Sequence, residues 1–381
     1  MTIARTFEVP LRFPPAAMSA LVDRPMRYDL AESTCPALRL GDLLRPDVVA
    51  RLARLETGYG TTPGDETLRG LLAAGLGVTA DQVLLTAGAS SALALVALAV
   101  CEPGDQVVIA TPCFPPAHGL LETLRLRVTE LPLAFERGYR LDVEALVAAL
   151  TPRTRLVSLA SPQNPSGIRF TDRELRAVVE ALDTHAPDAV LLVDETYREA
   201  TYGDAAVPAS VAPLAERVVT CASLSKSHGA PGLRIGWLTS RSPVLYEALR
   251  RAKFTLLVSG SGVDELLAVE VLRQAEDILA DRRALLGGTL ATLQAWAAGH
   301  PGLEFLRPDG GALCCLRLHP GRYDDDAVAR FHAALAEREV RVAPGSWFGE
   351  PDRVFRVGFG HLPPELFEQA LDRVGAALAA L

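Results

Sequence analysis

The chain carries no apolar run long enough to cross a bilayer. Its longest, residues 92–100, is less than half of the roughly 20 residues a helical span needs, and it reads as a buried helix. Residues 1–7 lack the basic start and apolar core of a secretory signal, so the expected location is the cytoplasm. The cysteines (Cys35, Cys101, Cys113, Cys221, Cys314, Cys315) include no C-x-x-C pair and no accompanying histidine spacing. That pattern argues against a zinc site or a disulfide framework and for reduced, mostly buried thiols. Positive charge is in deficit, with 38 Lys and Arg against 46 Asp and Glu and a net charge of −8. Such a surface has no long-range attraction for nucleic-acid phosphates or anionic lipid. No internal repeat, low-complexity tract or flexible linker interrupts the chain.

What is abundant is apolar surface: 49% of residues are hydrophobic and 22% charged, a globular balance. Residues 106–110, 155–159 and 189–193 are Val-, Ile- and Leu-rich runs flanked by turn residues, which predicts strands buried on both faces. Between them lie helical patterns at 141–150 and 171–183, the second opening on a capping box at Thr171 and Glu174. Strands alternating with helices predict an α/β fold with a mainly parallel sheet. From residue 265 to about 296 the pattern predicts one long helix of the kind that bridges domains. Beyond it, strands at 310–316 and 354–358 flank a helix at 324–339, a small α+β domain.

The densest chemistry lies in Ser223-Leu224-Ser225-Lys226-Ser227-His228-Gly229-Ala230-Pro231-Gly232-Leu233-Arg234. A lysine amine held among polar groups is a Schiff-base nucleophile, and hydroxyls three and one residues before it, with Arg234 eight after, suit a phosphate. Together they point to pyridoxal 5′-phosphate. Asp194 ends a buried strand, where it either caps the following segment or pairs with a pyridinium nitrogen and keeps that ring an electron acceptor. Tyr197 can donate to the ring's 3′-oxygen. In Ser161-Pro162-Gln163-Asn164-Pro165-Ser166-Gly167, the prolines and glycine fix a turn that either uses Asn164 for backbone bonds alone or holds its amide toward a ring oxygen. Residues 85–92 join a strand to an apolar helix, placing the amides of Ala89 and Ser90 where a phosphate is favoured.

In this order and spacing the segments resemble fold-type I pyridoxal-phosphate enzymes of the class I/II aminotransferase superfamily, from about Asp29 to the C-terminus. The resemblance implies a PLP-dependent transferase fold: a large domain with a seven-stranded sheet, residues 46–282, and a small domain from both chain ends, residues 1–45 and 283–381. It also implies a homodimer with active sites at the interface. Lys226 would form the Schiff base, Asp194 would pair with the pyridine nitrogen, and Asn164 and Tyr197 would contact the 3′-oxygen. Phe114 would stack on the ring, and Ala89, Ser90, Ser223, Ser225 and Arg234 would hold the phosphate. Tyr59 would reach the partner's cofactor across the dimer, and Arg356 would clamp the substrate α-carboxylate with its planar fork, Asn164 beside it.

Several departures bear on the reaction. Gln163 and Ser166 stand where Asn or His and Thr are more usual, and Phe114 replaces an aromatic with a polar handle. Residues 256–262 contain no arginine for a second carboxylate, so aspartate is not the expected substrate. Residues 28–33, Tyr-Asp-Leu-Ala-Glu-Ser, lack a glycine-rich opening and are more similar to a branch containing capreomycidine synthase. The leading expectation is transamination through Lys226. A cyclase, lyase or oxidase of an amino acid in secondary metabolism is the alternative. A non-catalytic sensor module that binds the same cofactor is the alternative of another class, and retained Lys226 and Arg356 speak against it.

Overall fold

A computed structural model of the protein describes residues 13–381. The segment 1–7, in which a secretory signal was sought, lies outside the described residues.

The apolar runs become strands because their side chains can be covered on both faces. The strands in chain order are β1 (Tyr28–Asp29), β2 (Val83–Ala87), β3 (Gln106–Thr111), β4 (Arg127–Pro132), β5 (Thr154–Ala160), β6 (Val190–Asp194) and β7 (Val218–Ser223), followed by β8 (Ile235–Ser240), β9 (Leu303–Leu306), β10 (Leu313–Leu318), β11 (Val340–Arg341), β12 (Ala343–Pro344) and β13 (Val354–Gly358). The seven-stranded sheet has the order β2-β8-β7-β6-β5-β3-β4. Its neighbours from β7 to β4 run parallel, and β8 is antiparallel to both β2 and β7. Parallel strands buried on both faces carry cores above and below. One gathers Val107, Ile109, Leu156 and Leu192 with Ala92 and Val96 of the helix Gly88–Val100. The other gathers Val108, Val157 and Leu191 with Leu175 and Val178 of the helix Asp172–His185. That second helix starts where its capping box predicts, with Thr171 accepting from the Glu174 amide and Glu174 from the Thr171 amide.

The expected long helix over 265–296 is two helices, Gly262–Arg273 and Ala275–Ala298, joined at Gln274 (φ −106°, ψ 11°). No proline or glycine marks the break. The second helix packs over a four-stranded sheet, β12-β13-β10-β9, with the helices Asp325–Glu337 and Pro364–Ala379. The strand expected at 310–316 begins only at Leu313 and runs to Leu318, because Gly310 and Gly311 turn against Gly167 and Ala200. Its alternation splits two neighbouring thiols between different cores: Cys314 faces the small sheet's helices and Cys315 faces the large sheet's. All the cysteines are free thiols.

The N-terminal segment joins this second unit and then crosses to the first. β1 pairs in parallel with β11, and Leu30 accepts from the Gly358 amide at 2.6 Å. From there the chain runs over the lysine loop, where Cys35 donates to the Lys226 carbonyl at 3.2 Å and Leu38 to that of Gly229 at 2.8 Å. No helix among the described residues is long and apolar enough to cross a membrane.

Candidate active site

The site lies at the carboxyl ends of the parallel strands, where an α/β sheet presents its loops. Asp194 is the last residue of β6, Ser223 the last of β7, Gln163 and Asn164 follow β5, and Phe114 follows β3. Lys226 lies three residues beyond Ser223 and is one of only two lysines in the chain. The other, Lys253, is buried and donates to the Thr62 carbonyl, so Lys226 is the one lysine amine at this sheet edge.

Lys226 Nζ donates to Ser33 Oγ at 3.1 Å and lies 3.4 Å from Glu32 Oε1. Ser33 Oγ is also 2.9 Å from the Tyr197 hydroxyl, whose ring lies 5.9 Å from the ammonium. Burial alone would lower the Lys226 pKa, but Tyr197 and Glu32 turn the net shift upward. Burial would raise Glu32, yet Lys226 and Arg356 hold its carboxyl down to about 2. Glu32 and Ser33 were read from sequence as a branch marker only; their approach to a residue almost 200 positions away had no local signal.

Asp194 keeps both possible roles. Its Oδ1 accepts from the amide of Thr196 at 2.9 Å and from the Thr196 hydroxyl at 2.5 Å, which fixes the carboxylate at the strand's end. Burial pushes its pKa up, opposed by Thr196, Cys221 and Lys226. A cationic ring nitrogen is the partner that such a carboxylate lacks.

Arg356, on β13, is 2% exposed. It donates to Asn164 Oδ1 at 2.7 Å and to the Ala31 carbonyl, and it lies 5.0 Å from the Phe348 ring, while its Nε has no partner. With the Asn164 oxygen taken by Arg356, its NH₂ group remains to donate to a ring oxygen. The unusual Gln163 and Ser166 answer each other: Ser166 Oγ donates to Gln163 Oε1, and Gln163 Nε2 donates to the Pro112 carbonyl at 2.7 Å. They tie the Asn164 turn to the turn carrying Phe114. That ring packs half-buried against Met18, Ala31 and Phe348.

At the phosphate end, Gly88, Ala89 and Ser90 open the helix Gly88–Val100, so their amides have no partners within that helix. Arg234, at φ +53°, turns its guanidinium back to the Ala87 carbonyl. A Cβ on Gly88 would stand 2.5 Å from Arg234 Nη2, and one on Gly236 would stand 2.8 Å from the Ala89 nitrogen. Only glycines leave these amides and this guanidinium open together. Ser223 Oγ lies 3.4 Å from the Ser225 amide. These amides, hydroxyls and the guanidinium are donors suited to an anion, and with the Lys226 amine and Asp194 carboxylate they fit pyridoxal phosphate.

Tyr59 is 89% exposed and makes almost no contact with its own chain. Of the expected site residues, it alone is held apart from the cluster. Sequence reasoning also missed a polar group behind the lysine: buried His228, whose Nδ1 is 3.6 Å from Glu199 Oε2 and whose ring nitrogens make no hydrogen bond.

The sequence matches the family model for class I and II aminotransferases over residues 28–374. It is 30% identical to an arginine–pyruvate transaminase of Pseudomonas aeruginosa over 85% of this chain and 83% of that protein. It is 33% identical to a capreomycidine synthase of Streptomyces vinaceus, covering 81% of this chain and 77% of that one. The structure superposes on a crystal structure of the PLP-dependent cyclase OrfR with a TM-score of 0.85 and 26% identity, over 100% of both chains.

Proposed function

The chain belongs to the class I and II aminotransferase family, and on that premise we propose that it binds pyridoxal 5′-phosphate and moves an amino group between an amino acid other than aspartate and a 2-oxo acid. One observation carries this: a single lysine amine, a strand-end aspartate and a buried arginine converge on one sheet edge beside an anion cradle. The cofactor supplies an electron sink for the bond broken at Cα.

The residues do the rest. Arg356 binds the α-carboxylate through its fork, with Asn164 fixing the fork's plane. Lys226 would hold the cofactor, and its amine, when neutral, would be the base that carries the Cα proton. Ser33 and Tyr197 hold that amine in place. Asp194 would pair with the cofactor's ring nitrogen, and Phe114 would pack on its ring. Arg234, Ser223, Ser225, Ala89 and Ser90 hold the phosphate.

The working unit is a homodimer in this proposal. Exposed Tyr59 stands beside Leu257 and Val263 in an open groove, with Phe254 and Leu256 exposed on the same helix. Exposed Arg234 lines a neighbouring cavity of about 160 Å³ that a partner's Tyr59 would enter. We place the domain division at 46–282 against 1–45 with 283–381, supported by a core that unites Tyr28, Leu30 and Cys35 with residues from Leu286 onward and takes only Ala200 from the large unit among its buried members.

The test is amino-group transfer by the purified holoenzyme from a panel of amino acids to pyruvate or 2-oxoglutarate. A new 2-oxo acid with matching alanine or glutamate is expected. Release of ammonia without transfer to either acceptor would sink transamination in favour of a lyase, cyclase or oxidase, the reading favoured by Glu32 and Ser33 lying against Lys226. Lys226→Ala should lose the borohydride-sensitive visible band of the holoenzyme.

A further inference from the structure

Glu32 does more than its turn requires. Its Oε1 accepts from the amides of Ser33 at 2.7 Å and Thr34 at 3.0 Å, which completes a local turn. The same oxygen also meets the Lys226 ammonium. Arg356 is the other guanidinium or ammonium group that holds it down. Three bonds hold the backbone that leads into Glu32: Arg356 donates to the Ala31 carbonyl, the Gly358 amide donates to the Leu30 carbonyl, and the Ala31 amide donates to Asp29 at 3.0 Å.

During turnover this balance changes. Arg356 is neutralised by the substrate's α-carboxylate, and Lys226 must be neutral to take a proton. Glu32 is then a largely buried carboxylate without its two strongest counter-charges, a costly arrangement unless another cation arrives. Resting on the amino-acid reading above, we infer that Glu32 selects substrates with a positively charged side chain, taking their distal amine or guanidinium.

A second feature has the same sign. A cavity of about 490 Å³ lies against the helices Gly88–Val100 and Pro115–Thr123, and its lining includes Ser90 and Phe348, the latter 5.0 Å from the Arg356 guanidinium, but not Glu32 or Lys226. Its acidic lining residues are Glu122 and Glu130, with His118 Nε2 3.0 Å from Glu130 and Nδ1 3.8 Å from Glu122. No lysine or arginine is among the described residues that line it.

The experiment compares L-lysine, L-arginine and L-norleucine, whose neutral stem matches lysine's, in two readouts: titration of the holoenzyme's visible band, and kcat/KM with pyruvate. The basic amino acids should half-shift the band at concentrations at least about tenfold below norleucine's. Glu32→Gln, which still accepts from both turn amides, should cut that preference roughly tenfold to hundredfold, the worth of a charge-assisted hydrogen bond. Ser33→Ala removes a Lys226 contact but keeps the charge, so it should weaken basic and neutral substrates alike. A wild-type preference for norleucine, or a Glu32→Gln loss equal for all three, overturns the inference and makes Glu32 a support for Lys226 only. Basic amino acids that shift the band without transferring their amine would refute transamination and leave this inference standing. Transfer from neutral amino acids alone would do the reverse.

Discussion

Replacing Gly358 with alanine tests the site's construction without touching any group assigned to chemistry. Gly358 ends β13, two residues beyond Arg356, and its Cα faces the backbone of the segment that carries Glu32. A Cβ there would lie 1.8 Å from the Glu32 carbonyl oxygen and 2.8 Å from its carbon. Relieving that contact even to the tightest approach found in real proteins moves one backbone past the other by about 1.2 Å. Both neighbours are backbone, so no rotamer change can absorb it, and overpacking of this kind costs about 1–3 kcal/mol. The displaced segment carries the Ala31 carbonyl bound by Arg356, the Ser33 hydroxyl at 3.1 Å from Lys226 and the Glu32 carboxylate at 3.4 Å. A shift of about 1 Å breaks the latter two, and misplacement on that scale costs roughly 100-fold in rate. The assays are urea unfolding and steady-state transfer, with Gly70→Ala as reference. Gly70 sits exposed inside the helix Glu66–Leu76 with nothing within 4 Å of its added Cβ, so that change should stabilise by about 0.5–1 kcal/mol. If Gly358→Ala matched wild type in both stability and rate, the coupling of this segment to the lysine would be refuted.

Arg356→Lys keeps the charge and loses the fork that spans Asn164 Oδ1 and the Ala31 carbonyl; kcat/KM should fall by about 100-fold or more, chiefly through KM, as substrate titration would show. Burial raises the Glu350 carboxyl to about 7, although the Tyr139 hydroxyl donates to both its oxygens at 2.8 Å. The folded state therefore binds this proton more tightly than the unfolded one, so stability declines as pH rises from about 4.5 to about 7 and is level for this group above that. Glu350→Gln should remove that slope, leaving stability near wild type at pH 5 and above it at pH 8 in urea melts.

What could be read from sequence was local or periodic. The capping box at Thr171 and Glu174 is satisfied within four residues, and β3, β5 and β6 are runs whose composition alone declares burial. The strand at 354–358 was read to the residue. The break at Gln274 was not, since a polar residue with helical neighbours gives no stop signal. Strand β8 was hidden for another reason: Ile235 and Gly236 were absorbed into the lysine motif, whose chemistry drew attention from its backbone. The meeting of Glu32 and Ser33 with Lys226 depends on loops brought together by the sheet. No window of sequence contains both partners.

The parallel pairing of β1 with β11 sets an order in time. A chain emerging from the ribosome presents Asp194, Ser223, Lys226 and Arg234 with the completed large sheet long before residue 340 is made. Until then Tyr28 and Asp29 have no strand to pair with, and Gly358, which anchors Leu30, does not yet exist. The residues that finish the lysine's surroundings are thus made before it and seated after it, and a chain cut short before β13 keeps its lysine while lacking Arg356 and the means to hold Glu32 and Ser33 against it.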